Sequence, residues 1–143
     1  MKLSEGYMEI PLETLLEYWD PTLDDVWGCG RILEEDVLAA ANELNRTDRP
    51  ADLKSEHFSS YDFNVARIAY LLYNGWDAPD VDLHPVTVDI GISGYTPEEL
   101  VTDGNHRLAA AKFRGDKTIA VEISGDLEKA RKVFLEGLYI DDV

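Results

Sequence analysis

Apolar and polar positions alternate along this chain with two different periods, and the switch between them outlines the elements. Leu12, Leu15, Leu16 and Trp19 share one helical face behind Pro11, a residue suited to a first helical turn, so residues 8–19 predict an extended segment entering a helix. Residues 20–30 read as loop. Val37, Leu38, Ala41 and Leu44 restore helical spacing over 34–44, and residues 46–60 are polar and irregular in pattern. Asn64 is the expected cap of a third helix carrying Val65, Ile68, Ala69 and Leu72, with Gly75 as its left-handed terminator.

The period then changes to two. Val86, Val88 and Ile90 alternate with Thr87 and Asp89 within residues 83–90, and Leu100-Val101 follows a 91–97 loop, which predicts an antiparallel hairpin with a long tip. A helix from Asn105 to Arg114 should end at Gly115, residues 118–123 form another strand, and a last helix buries Leu127, Ala130, Val133, Phe134 and Leu138. No repeat or low-complexity linker interrupts the series. The fold class expected is α+β: a small mixed sheet with a long-tipped hairpin, flanked by helices, over residues 1–143 as a single domain.

Composition narrows the function classes. With 143 residues and 45% hydrophobic content the chain suits one globular domain, and it shows neither a signal-peptide pattern nor an apolar run of membrane-spanning length, so the expectation is a soluble, cytoplasmic protein with no membrane partner. The single cysteine, Cys29, excludes an internal disulfide and a cysteine-rich zinc site. Its two flanking glycines leave a redox role conceivable, against the simpler reading of an incidental loop thiol. A net charge of -16 argues against direct, broad nucleic-acid binding. The charge is uneven: residues 103–132 hold seven bases against five acids, whereas residues 1–102 hold six against 21.

That basic region surrounds the motif with the most chemistry, Asp103-Gly104-Asn105-His106-Arg107-Leu108-Ala109-Ala110. Where a strand gives way to a helix within two residues, the first helical N–H groups are left unpaired at the positive end of the helix dipole, a ready anion site. Gly104 permits close approach and an unusual turn angle, His106 and Arg107 add donors, and Arg107 carries a planar fork matched to phosphate oxygens. Ala109, Ala110 and Ala111 thin the helix so that its backbone can pack closely and hold the turn rigid. The plainer reading makes Asp103 a cap, Gly104 a turn residue, and His106 and Arg107 solvated surface groups. Asp103 divides the two: a carboxylate beside a bound phosphate implies magnesium between them, or a base acting on a hydroxyl or water. His106, which ordinarily titrates near neutrality, is a phosphate donor or a proton shuttle.

The stretch Leu100-Val101-Thr102-Asp103-Gly104-Asn105-His106-Arg107-Leu108-Ala109-Ala110-Ala111-Lys112 resembles the signature of the ParB/sulfiredoxin superfamily. Ile10-Pro11-Leu12 with Leu15, the helix and glycine of residues 67–75, His84-Pro85-Val86-Thr87-Val88, and the closing strand after Gly115 resemble its flanking pattern. The resemblance covers half to two thirds of the chain; residues 20–60 have no counterpart in it and read as a divergent helical insertion. It implies a ParB/sulfiredoxin-like fold and a nucleotide triphosphate, ATP or CTP, with its phosphates on Gly104, Asn105, His106 and Arg107. Magnesium is expected from Asp103 alone, as its ligand, and Asp103 and His106 are the candidate catalytic groups. Sulfiredoxins place a catalytic cysteine immediately before the His-Arg pair, where this chain has Asn105, so sulfinic acid reduction is not expected. The chain is also too short for the DNA reader and dimerisation segment of the partition proteins.

The leading expectation is therefore a nucleotide-binding domain, acting as a phosphotransferase or nucleotide hydrolase. Glu9 and Glu13 are candidates for a second carboxylate that spacing alone does not separate from the other acids. Two alternatives stand beside it: a non-enzymatic acidic protein that engages a basic protein partner or mimics DNA, and a ParB-like nuclease, which needs several carboxylates around a metal. Tyr61, Phe63, Tyr70, Tyr73 and Trp76 surround the third helix, where their spacing favours core packing over stacking on a base.

Overall fold

The structure, a computed structural model, describes residues 6–43, 60–74 and 86–143. Among them are five α-helices and one four-stranded mixed sheet, so the chain is α+β as its pattern predicts. They fall into two compact units, one of residues 6–19, 86–105 and 116–143 and the other of residues 20–43, 60–74 and 106–115.

The first unit holds the sheet. Strand β1 (Tyr7–Pro11) runs into helix α1 (Leu12–Tyr18); β2 (Val86–Gly91) and β3 (Val101–Asp103) form the hairpin; β4 (Thr118–Gly125) is the expected later strand. The spatial order is β1-β4-β2-β3, with β2 and β4 parallel and the two outer pairs antiparallel. Register follows from the period of two. Pairing Ile10 with Ile119, Val86 with Val121 and Val88 with Ile123 brings together side chains that are all buried, whereas Thr87 and Asp89 keep partial contact with solvent. Helix α1 lies against β1 and β4 and buries Leu12 and Leu15.

The final helix, here α5 (Leu127–Phe134), is capped by Asp126, whose side chain accepts from the backbone N–H groups of Glu128 and Lys129. It lies against β4 and buries Ala130, Val133 and Phe134. Leu127 and Leu138, expected on the same face, are exposed. Leu127 is the first helical residue, and the helix ends before Leu138, where Gly137 turns the chain with φ +79° and the Leu138 N–H returns to the Lys132 carbonyl at 2.9 Å.

The long hairpin tip has an internal reason for its shape. Ile92 and Tyr95 exchange both backbone hydrogen bonds, and the Nζ of Lys129, a residue only 1% exposed, donates to the Ile92 carbonyl (2.8 Å), the Tyr95 carbonyl (2.9 Å) and the Thr96 hydroxyl (2.8 Å). Gly91, at φ +72°, passes so near the Tyr95 carbonyl that a Cβ there would collide with it.

The second unit is helical. Helix α2 (Glu34–Glu43) and helix α3 (Tyr61–Asn74) pack together, and with helix α4 (Asn105–Arg114) they enclose a core of Ile32, Val37, Ala41, Val65, Ile68, Ala69, Leu71, Ala109 and Ala110. Leu38, expected inside, is 42% exposed; Val37, Ala41 and, partly buried, Ala40 are the residues of that helix that pack into this core. Helix α3 begins four residues before the expected position. Ser60 is the cap, its hydroxyl accepting from the Phe63 N–H at 3.3 Å, and Asn64 is an interior residue that is fully buried. The expected terminator Gly75, the expected core residue Leu44 and most of the irregular 46–60 stretch lie outside the described residues. No helix among the described residues is long and apolar enough to cross a membrane.

Candidate functional site

Strand β3 ends at Asp103 and α4 begins at Asn105, so a single residue, Gly104, makes the turn between them. Gly104 has φ +85°, a conformation that side-chain-bearing residues rarely adopt. It also occupies the helix's capping position, where glycine offers no side-chain oxygen to the N–H groups of His106 and Arg107. The carboxylate of Asp103 turns onto the adjacent backbone instead, its Oδ1 accepting from the Gly104 N–H at 2.9 Å. Asp103 is exposed. In the same unit Asn105 is held by Trp19, the residue that ends α1, whose indole Nε1 donates to the Asn105 Oδ1 at 2.8 Å.

His106 and Arg107 form the first turn of α4 within the second unit, followed by the buried run Leu108, Ala109, Ala110 and Ala111. His106 is gripped on its edge and its face. Its Nε2 lies 2.7 Å from the Asn64 Oδ1, and its ring stacks on Trp27 with centroids 4.4 Å apart and planes 16° from parallel. Burial in this setting, reinforced by the positive charge of Arg67, lowers its pKa from 6.5 to about 3. His106 is therefore neutral at physiological pH. An imidazole so hard to protonate is a weak base and carries no charge to offer an anion.

Further along α4, Lys112 closes a second polar cluster. Its Nζ donates to the Asp20 Oδ2 at 2.7 Å and the Thr22 Oγ1 at 2.8 Å, while the Thr22 N–H and hydroxyl both donate to the Asp20 Oδ1. Asp20 and Thr22 are buried, so each acceptor needs these partners, and together they pin the loop of residues 20–32 to the helix. Cys29 belongs to that loop. Its thiol is partly buried and its pKa raised by that burial, so it stays protonated and is a weak nucleophile, in keeping with an incidental loop thiol.

The motif residues of the sequence thus stand consecutively through one turn, but several groups that hold them were not legible in it. Trp19, Trp27 and Asn64 lie 42 to 86 residues from their partners among Asn105 and His106, and no local pattern marks them. Only the glycine-flanked run Trp27-Gly28-Cys29-Gly30 hinted at a special loop. Of the other candidates, Glu9 accepts from the Thr118 hydroxyl at 2.6 Å, across the β1–β4 pair. Phe63 and Tyr70 are core residues, and Tyr61 donates its hydroxyl to Asp36 at 2.5 Å; the side chains of Tyr73 and Trp76 lie outside the described residues. Among the described residues no group of three or more His, Cys, Asp or Glu side chains is placed to hold a metal. No protein-family model, no curated protein and no solved structure matches the chain.

Proposed function

We propose that residues 103–107 bind the phosphates of a nucleoside triphosphate, ATP or CTP, in the manner of the ParB/sulfiredoxin superfamily that the motif resembles. The observation that carries this reading is the single-glycine passage from β3 into α4, with Gly104 in the left-handed region and no capping side chain of its own. Phosphate oxygens accept from N–H groups at such a helix start and gain from its dipole. Arg107 supplies the charge and a bidentate fork, and Asn105, steadied by Trp19, adds a polar contact. His106 contributes its backbone N–H and its shape, not a charge.

Asp103 fits magnesium in a limited sense. Magnesium on a nucleotide is held chiefly by phosphates and water and takes one or two carboxylates from the protein, and Asp103 is one exposed carboxylate beside the turn. It would also serve as the base that accepts a proton from a hydroxyl or water attacking the terminal phosphorus, so phosphotransfer and hydrolysis are both within reach of this residue set. A nuclease reading finds no multi-carboxylate metal group among the described residues. The second reading worth carrying is an acidic protein that engages a basic partner, favoured by the 21 acids against six bases in residues 1–102.

Calorimetry with ATP, CTP and GTP, with and without magnesium, separates them. Nucleotide binding at about micromolar Kd is expected, weakened about tenfold or more by Arg107→Ala, as befits loss of a charge-assisted contact. Absence of binding by every nucleotide would overturn the proposal and leave the basic partner as the better reading.

A further inference from the structure

Asn64 sits where an asparagine is costly. It is in the interior of α3 and has no exposed surface, although its side chain competes with helical hydrogen bonding. Every polar atom of such a buried amide needs a partner, and the partners here fix its orientation. The Ser60 carbonyl, which only accepts, lies 2.8 Å from Nδ2, so that atom must be the NH2 group; the same group reaches the Cys29 sulfur at 3.6 Å. The remaining atom, 2.7 Å from the His106 Nε2, is then the carbonyl oxygen, and the imidazole has to donate to it.

We infer that Asn64 is a positioning residue for the candidate site, locking His106 as the Nε2–H tautomer so that the lone pair of the ring belongs to Nδ1. The inference rests on the proposed nucleotide-binding reading for its functional meaning and on Asn64 geometry for its structural content. Trp27 fixes the plane of the ring by stacking, and Asn64 fixes its rotation within that plane. A neutral ring in this state offers a ligand an acceptor. It pairs with a hydroxyl or amino hydrogen and repels a phosphate oxygen, so side-chain recognition by His106 is directed to the nucleoside or the acceptor alcohol, while phosphate is left to Arg107 and the backbone. The charge beside the ring agrees, since Arg67 of α3 opposes a second positive charge there, and the Cys29 thiol that faces the Asn64 amide is held neutral.

The test uses the whole chain. Long-range proton–nitrogen correlation spectra at neutral pH identify the protonated ring nitrogen of His106, assigned by the signal that His106→Gln removes. A sharp, slowly exchanging Nε2–H is expected in the native protein, lost to tautomer averaging in Asn64→Leu. In Asn64→Asp the carboxylate accepts the same hydrogen bond and favours imidazolium, so the His106 pKa should rise by about one to three pH units. A native Nδ1–H ring, or an Asn64→Asp protein in which His106 titrates as before, would overturn the inference. Calorimetry on the same variants reads the functional half: Asn64→Leu should weaken nucleotide binding severalfold. If the native protein binds no nucleotide, the proposed function fails, while the spectra still decide the role of Asn64. If it binds and Asn64→Leu binds equally well, the positioning role fails and the nucleotide reading survives.

Discussion

His106 shows how much a side chain's chemistry depends on what surrounds it. In isolation it is the one group of the motif poised to change charge near neutral pH; burial, with Arg67 facing it, lowers its pKa from 6.5 to about 3. The sign of the consequence for stability follows from linkage. Between these two values the unfolded chain binds a proton that the folded chain refuses, so acidification favours unfolding, beginning near pH 6.5 and levelling off near pH 3. Between pH 7 and pH 5 this group alone is expected to remove about 2 kcal/mol of stability. His106→Gln keeps an N–H donor for Asn64 and abolishes the titration, so its urea midpoint should fall less steeply over that interval than the native one. Parallel pH profiles would show that His106 titrates normally in the folded protein. The residue was easy to single out from its place in Asp103-Gly104-Asn105-His106-Arg107, but its charge state was illegible, because every cause of it comes from residues distant in sequence.

Elements bounded by strong local signals are legible in the sequence. Helix α4 runs from Asn105 to Arg114 as expected because a glycine stands at each end, Gly104 at φ +85° and Gly115 at φ +79°, and strand β2 follows from the alternation of Val86, Val88 and Ile90 with Thr87 and Asp89. The start of helix α3 is ambiguous in the sequence because Ser60 and Asn64 are both good capping residues four positions apart, and only the fold decides that Asn64 goes inside. The 91–97 tip was legible as a loop and not as a built structure, since the lysine that organises it, Lys129, lies more than thirty residues away on α5 and reads as an ordinary solvated cation. Lys129→Met preserves much of the apolar stem and removes all three donors. It should destabilise the protein by about 1–3 kcal/mol, and the amides of Ile92 and Tyr95, whose mutual hydrogen bonds depend on that tip, should exchange faster with solvent. Unchanged exchange at those two amides would mean that the tip holds itself.

For the molecule as a whole, the α+β class with a mixed sheet followed from the order of periodicities, whereas the strand order β1-β4-β2-β3, with its parallel central pair, did not, because pairing between distant strands leaves no local mark. Net charge acts at this scale too. At -16 the folded chain confines mutually repelling charges, and added salt screens them. Raising sodium chloride from low to physiological strength should lift the thermal midpoint by a few degrees. A midpoint that falls instead would mean that attractive pairs, such as Lys112 with Asp20, outweigh the repulsion. Because salt also weakens anion binding, nucleotide affinity and thermal stability are expected to move in opposite directions along the same titration. The buried amine of Lys129 has one more use. Amine-acylating reagents attack an unprotonated lysine they can reach, so Lys129 stays unmarked until its tip and helix part, and the slow growth of its acylated form keeps time on how often the first unit opens.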